Sequence, residues 1–281
     1  MNYSYYPGCS LHGSSKEYDA STKAVCAALG VELRELQDWV CCGASSGHSL
    51  DAMLNIGLPA HTLKLAQAQA LDVAVPCAAC YNRLKVAEHE LRRDEKVRQQ
   101  MKDLLDFEYE DNIHVLNLIE LVRDRVGLDA VRSKVVKPLK GLKVVCYYGC
   151  VLVRPAKVTK FDDPDHPTSQ DEIMKAVGAE VLDWSYKTEC CGASLSLSRD
   201  DIVTNLVDKI IDMAKEAGAQ VIVCSCPLCL ENLEMRQSDR HYPVLYFTEL
   251  LGLAFGLPEA SHWPKKHLVD ATPLLRSLGL L

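Results

Sequence analysis

Cysteines are the residues of this sequence whose number and spacing suggest chemistry. There are 13, and ten of them form two copies of one pattern. Each copy has a single cysteine, then an adjacent pair followed by Gly-Ala-Ser, then a Cys-x-x-Cys motif that begins 35 positions after the pair. The first copy is Cys9, Cys41, Cys42, Cys77 and Cys80, and the second is Cys150, Cys190, Cys191, Cys226 and Cys229. Such repetition predicts an internal duplication of the chain.

The adjacent cysteines favour metal binding over disulfide bonding. Neighbouring thiols cannot easily bridge to each other, because their side chains diverge on an extended chain. Thiolates are soft ligands that select zinc, copper(I) or iron–sulfur clusters. Five per copy is one more than a tetrahedral zinc site or an ordinary cubane cluster takes. An iron–sulfur cluster of unusual nuclearity is therefore favoured over zinc, since diverging neighbours can reach different iron atoms.

The composition is that of an ordinary globular protein, with 48% apolar residues, 25% charged residues and a net charge of −7. The charges are mixed along the chain, which argues against a nucleic-acid partner. No stretch approaches the ~18 uninterrupted apolar residues of a membrane span. The first residues, MNYSYYPGCS, lack the basic and apolar parts of a signal peptide. These features predict a cytoplasmic protein, in which a disulfide framework is not expected.

The elements around the cysteines repeat as well. Glycines at Gly30 and Gly178 suit the C-caps of the first predicted helix in each half. β-rich stretches are expected at residues 3–6, 32–36, 73–75, 142–148, 180–184 and 220–223, and helices at 16–29, 61–69, 170–177 and 203–216. This order predicts an α/β fold of two similar halves related by a pseudo-twofold axis, each with a mostly parallel sheet flanked by helices. Sites in such sheets lie at the carboxyl ends of the strands, so all five cysteines of a copy should meet there.

Two domains follow from the duplication, residues 1–138 and residues 139–281. A helical stretch over residues 84–132 is expected to close the first. The second carries a Pro/Asp-rich insertion at residues 161–170 and a C-terminal tail, residues 258–281, whose end is expected to be a packing helix.

The motif C-x31-CCG-x33-C-x-x-C, which the second copy repeats with a longer first spacing, resembles the CCG cysteine-rich domain family. The segments YYPGCSLHGSS (5–15), YYGCVLVRP (147–155), FDDPDHPTS (161–169) and CPLCLENLEMRQ (226–237) resemble the B subunits of CoB–CoM heterodisulfide reductases. This resemblance covers roughly residues 1–250. Related domains occur in subunits of glycolate oxidase, anaerobic glycerol-3-phosphate dehydrogenase and archaeal-type succinate dehydrogenase.

The resemblance implies two noncubane [4Fe-4S] clusters, with zinc as an alternative at one site. It assigns Cys9, Cys41, Cys42, Cys77 and Cys80 to one cluster, and Cys150, Cys190, Cys191, Cys226 and Cys229 to the other. The implied reaction is reductive cleavage of a disulfide of two small thiols, CoM-S-S-CoB in methanogens, by one-electron steps at the two clusters. The implied partners are the ferredoxin-like and the flavin-containing subunits of heterodisulfide reductase.

Two other functions remain open from the sequence. One is a non-catalytic iron–sulfur electron-transfer or anchoring subunit of a dehydrogenase or sulfur-oxidising complex. The other is a zinc-stabilised interaction protein.

Several residues near the motifs have a functional and a structural interpretation. His12 and His48 can bond to a cluster sulfur, move a proton, or have ordinary polar partners. Arg83, Arg154, Lys157 and Arg199 can bind anionic substrate groups or form ion pairs. The glycines beside the cysteines predict close approach of the backbone to the site: Gly8, Gly43, Gly149 and Gly192. The cysteines outside the repeat are expected to be buried and free: Cys26, Cys146 and Cys224.

Overall fold

The structure, a computed structural model, describes residues 1–44, 46–239 and 241–281, and the side chain of His48 is also outside the described set. Within these described residues, eight strands form two four-stranded sheets. Every neighbouring pair of strands is parallel, and the orders are β2-β1-β3-β4 and β6-β5-β7-β8. The strands are β1 (Asn2–Tyr5), β2 (Glu32–Glu35), β3 (Val73–Val75), β4 (Val115–Asn117), β5 (Lys143–Tyr147), β6 (Glu180–Val181), β7 (Val221–Cys224) and β8 (Val244–Tyr246). The two sheets have one topology, which confirms the two similar α/β halves.

Helices connect the strands and cover the sheets. Those of the first half are α1 (Gly8–His12), α2 (Lys16–Ala28), α3 (Gly47–Leu50), α4 (Ala52–Gln69), α5 (Ala78–Arg93), α6 (Glu95–Leu105), α7 (Leu118–Glu120) and α8 (Leu128–Ser133), with a π-helical turn at Leu121–Gly127. Those of the second half are α9 (Cys150–Val153), α10 (Ala156–Thr159), α11 (Ser169–Ala176), α12 (Asp200–Glu216), α13 (Pro227–Met235), α14 (Phe247–Ala254) and α15 (Thr272–Ser277). Short 3-10 turns lie at Ala193–Leu195, Pro258–Ser261 and Trp263–Lys265.

The central strands β3 and β7 are apolar along their whole length, because helices cover both faces of a parallel sheet. All three residues of β3 and all four of β7 are buried. The edge strand β2 alternates between exposed and half-buried residues. Helix starts are fixed by side-chain caps: Asp51 accepts hydrogen bonds from the first amides of α4, and Asp94 does the same for α6.

One expectation about the elements is wrong. Residues 84–132 are not a continuous helix, since β4 interrupts them at Val115–Asn117. A strand of three residues is too short to show a period in the sequence, and here it forms because it pairs in parallel with β3. Its counterpart β8, at Val244–Tyr246, was not expected either. Strand β6 ends at Val181 rather than at residue 184.

The halves exchange helix contacts across the pseudo-twofold axis. Helix α2 packs against α14 of the second half, while α11 packs against α7 and α8 of the first. Near the cysteines, α1 contacts α13 and α9 contacts α5. Helices of each half therefore pack beside the cysteines of the other half.

The C-terminal tail packs against the second half. Leu275 and Leu280 are buried, so the C-terminal segment packs as a helix and its extension, as expected. No described helix has both the length and the apolar character needed to cross a bilayer.

Candidate metal centre

The repeated cysteines follow the strands at their carboxyl ends. Cys9 lies in α1 just after β1, and Cys77 is the N-cap of α5 just after β3. In the second half, Cys150 begins α9 after β5, and Cys226 is the N-cap of α13 after β7. The adjacent pairs occupy the loops that follow the edge strands, Cys41 and Cys42 after β2 and Cys190 and Cys191 after β6. Parallel pairing places all of these ends on one edge of each sheet.

The sulfurs of the first copy form a connected group. The Sγ atoms of Cys9 and Cys41 are 4.0 Å apart. Those of Cys42 and Cys80 are 3.4 Å apart. Cys42 and Cys77 both raise the pKa of Cys80, and Cys42 and Cys9 both lower the pKa of Cys41. The five predicted ligands of the first copy are therefore near neighbours.

The second copy repeats this arrangement. The Sγ atoms of Cys191 and Cys229 are 3.6 Å apart. Cys190 raises the pKa of Cys150, and Cys229 lowers the pKa of Cys226. The charge of Cys191 also acts on Cys150, so the two pairs are neighbours.

Tyr18 joins the two groups across the halves. Its hydroxyl bonds to the carbonyl oxygens of Pro76 at 3.2 Å and Ser225 at 3.0 Å. These two carbonyls immediately precede Cys77 and Cys226, the first cysteines of the two Cys-x-x-Cys motifs. Cys226 also raises the pKa of Cys77 well above its usual value, as expected of neighbouring thiols. The two cysteine sites therefore lie side by side.

Gly8 and Gly149 are required by close approach of the backbone to the sulfurs. Both have positive φ, +73° and +69°. A Cβ atom on Gly8 would lie 2.9 Å from the Sγ of Cys80, and one on Gly149 would lie 3.1 Å from the Sγ of Cys229. Any side chain at these positions would displace a predicted ligand.

Two tyrosines that hold the adjacent pairs in place were not identified from the sequence. The hydroxyl of Tyr6 donates to the carbonyl of Val40 at 2.8 Å, and that of Tyr147 donates to Glu189 at 2.6 Å. Val40 and Glu189 each precede the first cysteine of a pair. A sequence pattern could have identified them, because both tyrosines lie three positions before the single cysteine of their copy.

Contacts between thiols determine which sulfurs lose their protons. Hydrogen bonds from Cys42 and Cys9 hold the pKa of Cys41 well below its usual value. The hydrogen bond from Cys150 lowers the pKa of Cys190 to about 6, and the backbone amide of Gly192 also donates to that sulfur, at 3.3 Å. The hydrogen bond to Cys41 is the main cause that raises the pKa of Cys42 to about 12. In both copies the pKa of the first member of the pair is therefore lowered.

The sites are open on one side. Cys9, Cys41 and Cys190 are exposed, and Cys150 is half-buried. The remaining cysteines of the repeat are buried: Cys42, Cys77, Cys80, Cys191, Cys226 and Cys229. A cluster bound here would have buried cysteine ligands on its inner side and exposed ones on the side that a small molecule can approach.

The donor set fits an iron–sulfur cluster. All the predicted ligands are free thiols, the sulfurs of each copy are contiguous, and a glycine leaves room beside the Cys-x-x-Cys motif. Within the described residues, no three side chains converge in the manner that holds a single metal ion. The sulfurs are instead arranged as pairs 3.4–4.0 Å apart.

Asn232 and Arg83 occupy equivalent positions, three residues after the last cysteine of each copy. The amide of Asn232 donates to the carbonyl of Cys191 at 3.0 Å and lies 3.9 Å from its sulfur. The guanidinium of Arg83 donates to Asn55 at 2.9 Å and to Asn82 at 3.0 Å. The two sites therefore differ in charge although their cysteines match.

The other residues singled out in the sequence have mostly structural roles. His12 lies 2.9 Å from Glu35 in a histidine–carboxylate contact. Arg154 pairs with Asp165 and Arg199 with Asp201, each at 2.7 Å. Lys157 is exposed, and the side chain of His48 lies outside the described residues. The three cysteines outside the repeat are buried as expected: Cys26, Cys146 and Cys224.

Comparisons with known proteins match the duplication. A family described as "Cysteine-rich domain" (CCG) matches residues 3–85 and again residues 144–234. The chain is 32% identical to the 8-methylmenaquinol:fumarate reductase membrane anchor subunit of Wolinella succinogenes, over 97% of this chain and 98% of that one. It is 28% identical to the B subunit of the Ferredoxin/F(420)H(2)-dependent CoB-CoM heterodisulfide reductase of Methanosarcina acetivorans, over 90% of this chain and 89% of that one.

A solved structure shares the fold. The crystal structure of a hypothetical protein from Helicobacter pylori superposes with a TM-score of 0.72 at 12% sequence identity. The superposition covers 91% of this chain and 49% of that one, so the chain spans about half of that structure.

Proposed function

The chain belongs to the CCG cysteine-rich domain family, and on that premise we propose that it is the catalytic subunit of a heterodisulfide-reductase-type complex. In this role it reductively cleaves a disulfide of two small thiols. The balanced reaction takes up two electrons and two protons and releases two thiols. Similarity to the B subunit of a heterodisulfide reductase over about nine-tenths of both chains supports this proposal.

In the proposal each half holds one noncubane [4Fe-4S] cluster. The ligands are Cys9, Cys41, Cys42, Cys77 and Cys80 in the first half, and Cys150, Cys190, Cys191, Cys226 and Cys229 in the second. When bound, such clusters supply one-electron transfers and iron atoms that can take up thiolate sulfur. Zinc at one of the two sites is the alternative occupant.

The observation that carries the proposal is the bridge made by Tyr18, whose hydroxyl bonds to the carbonyls immediately before Cys77 and Cys226. It makes the two sites neighbours, so that two one-electron centres can act on one bound molecule. Splitting a sulfur–sulfur bond takes two electrons, which a single one-electron centre cannot deliver at once. This gives the duplication a chemical reason.

The chain's own residues hold this geometry. Tyr18 fixes both Cys-x-x-Cys motifs through the carbonyls of Pro76 and Ser225. Tyr6 and Tyr147 fix the loops that carry the adjacent pairs. The exposed thiol positions lie on the open side, where a small disulfide can approach.

The proposed complex includes partners that supply electrons, since no nucleotide-binding glycine motif occurs in the sequence. These are the ferredoxin-like and the flavin-containing subunits of a heterodisulfide reductase, in the cytoplasm. The physiological disulfide is CoM-S-S-CoB if the host is a methanogen.

The test is anaerobic purification of the complex, with iron and sulfide analysis followed by turnover. We expect about eight iron and eight sulfide per chain, from two four-iron clusters. We also expect consumption of CoM-S-S-CoB or another small disulfide with a reduced dye as donor. Full iron content with no disulfide turnover would contradict the catalytic role, and zinc in place of iron would contradict the clusters.

A second function is favoured by one comparison. The 32% identity to a fumarate reductase membrane anchor subunit, over nearly the full length of both chains, fits a non-catalytic electron-transfer or anchoring subunit. In that case the clusters would pass electrons to a dehydrogenase partner and would not open a disulfide. Neighbouring genes separate the two functions, because genes for the flavin-containing and ferredoxin-like subunits favour disulfide chemistry.

A further inference from the structure

We propose that Arg83 gives the two cysteine sites different reduction potentials, with the first-half site the higher. The inference rests on the proposed function, since it concerns two iron–sulfur clusters held by these cysteines. It adds that the two sites are unequal electron acceptors in spite of their matching ligands.

The position of Arg83 faces the cysteine site. It lies three residues after Cys80 on α5, and Asn232 lies three residues after Cys229 on α13. The amide of Asn232 is 3.9 Å from the sulfur of Cys191, which shows where a side chain at this position points. In the first half, the equivalent sulfur belongs to Cys42. Burial lowers the pKa of the half-buried guanidinium of Arg83 and Cys42 raises it, so the two side chains lie within electrostatic reach of each other.

The charge of Arg83 is not balanced by a carboxylate. Its guanidinium donates to the neutral side-chain amides of Asn55 and Asn82. Among the described residues, no Asp or Glu oxygen lies within 4.0 Å of it. It therefore brings a net positive charge to the first site.

The cations around the second site are balanced. Lys187, three residues before Cys190, is paired with Asp171 at 2.7 Å. Arg236, one turn after Asn232 on the chain, is paired with Asp200 at 2.6 Å. The residue equivalent to Arg83 is a neutral amide that contributes only a dipole.

An uncompensated positive charge favours the reduced form of a neighbouring cluster. Reduction adds an electron, and its attraction to a cation is weakly screened where the side chains are half-buried. A neutral amide also favours reduction, but a dipole acts less strongly than a full charge. Because Tyr18 holds the two sites side by side through Pro76 and Ser225, electrons can equilibrate between them and should reside mainly at the first.

The decisive experiment titrates both clusters by EPR-monitored redox titration in the intact protein. The variants are Arg83→Gln, which removes the charge, and Asn55→Asp, which keeps the guanidinium and neutralises it. Two further variants serve as controls. Arg83→Lys keeps the positive charge. Asn112→Asp adds a carboxylate far from the cysteines, in the loop before β4, at the sheet edge opposite the one that carries the sites. Cys42→Ser identifies the first-site signal as the one that it abolishes. Iron content is measured for every variant.

We expect Arg83→Gln and Asn55→Asp to lower the midpoint potential of the first-site signal and to leave the second unchanged. Arg83→Lys and Asn112→Asp should leave both near their wild-type values. If the variants keep their full iron content and their midpoint potentials do not shift, this inference is overturned but the proposed function is not. An increased KM for the disulfide at unshifted potentials would also overturn it and would make Arg83 an anion-binding residue. Wild-type protein without iron would overturn the proposed function and this inference with it.

Discussion

The hydroxyl of Tyr18, in the first half of the chain, donates a hydrogen bond of 3.0 Å to the carbonyl of Ser225, in the second. The same hydroxyl bonds to Pro76 at 3.2 Å, so one phenol contacts the residue before each Cys-x-x-Cys motif. The Tyr18 ring stacks on Tyr246 with centroids 3.9 Å apart and an interplanar angle of 1°. The two cysteine sites are thus joined through the hydroxyl and the stacked ring of Tyr18.

Removing that hydroxyl should loosen both sites together. Tyr18→Phe leaves two buried carbonyls without their shared donor, so we expect the free energy of unfolding to fall by about 1–3 kcal/mol. Denaturant unfolding followed by visible absorption measures it. Tyr5→Phe is the control, because among the described residues the Tyr5 hydroxyl bonds only to Asp19, which is in the same half. A change in the spectrum of one cluster alone in Tyr18→Phe would contradict the shared role.

Gly8 should be irreplaceable for a steric reason. In Gly8→Ala the new Cβ meets the Cys80 sulfur at 2.9 Å, so we expect loss of about half of the iron. Gly30→Ala is a matched control, because Gly30 has a similar φ of +75° with nothing within 4 Å of its Cβ position. That control should cost about 1–2 kcal/mol of backbone strain and keep its iron. Equal iron in the two variants would refute the steric argument.

The second cysteine of each pair should be needed for its own cluster. We expect Cys42→Ser and Cys191→Ser each to lower iron and sulfide by about half, because each thiolate is assigned to one of two equal clusters. Cys26→Ala, which truncates a buried cysteine outside the repeat, should keep full iron content. Unchanged iron in Cys42→Ser would remove that residue from the ligand set.

His267 should make stability depend on pH. It is buried between Glu234 at 3.1 Å and Glu249 at 3.0 Å; burial opposes its charge, but the two carboxylates raise its pKa well above the usual value. A raised pKa stabilises the fold fully below about pH 6.5, and that contribution is lost as the pH rises through the folded-state pKa.

The measurement compares the melting temperatures of wild type and His267→Gln from pH 6 to pH 10. Wild type should exceed the variant most at pH 6, and the difference should shrink as the pH rises. The exposed His262 serves as control, since His262→Gln should show no such trend. A difference that stays constant across this range would show that His267 is not charged in the folded protein.

The sequence was sufficient to predict the repeated α/β halves, because cysteine spacing and apolar runs are local properties. It also marked the glycines that lie against the sulfurs, since Gly8 and Gly149 hold equivalent places in the two copies. It did not reveal β4 or β8, because three-residue strands carry no readable period and are stabilised by pairing with a neighbour.

The sequence by itself determined which cysteines belong together in each half and that two such sets exist. Only the tertiary structure decided that Tyr18 bonds to the residues before Cys77 and Cys226, and that Arg83 has no carboxylate partner among the described residues. These contacts join residues that are far apart in the sequence or depend on which neighbour a side chain receives. They follow from how helices such as α2 and α14 pack across the pseudo-twofold axis, which no motif encodes.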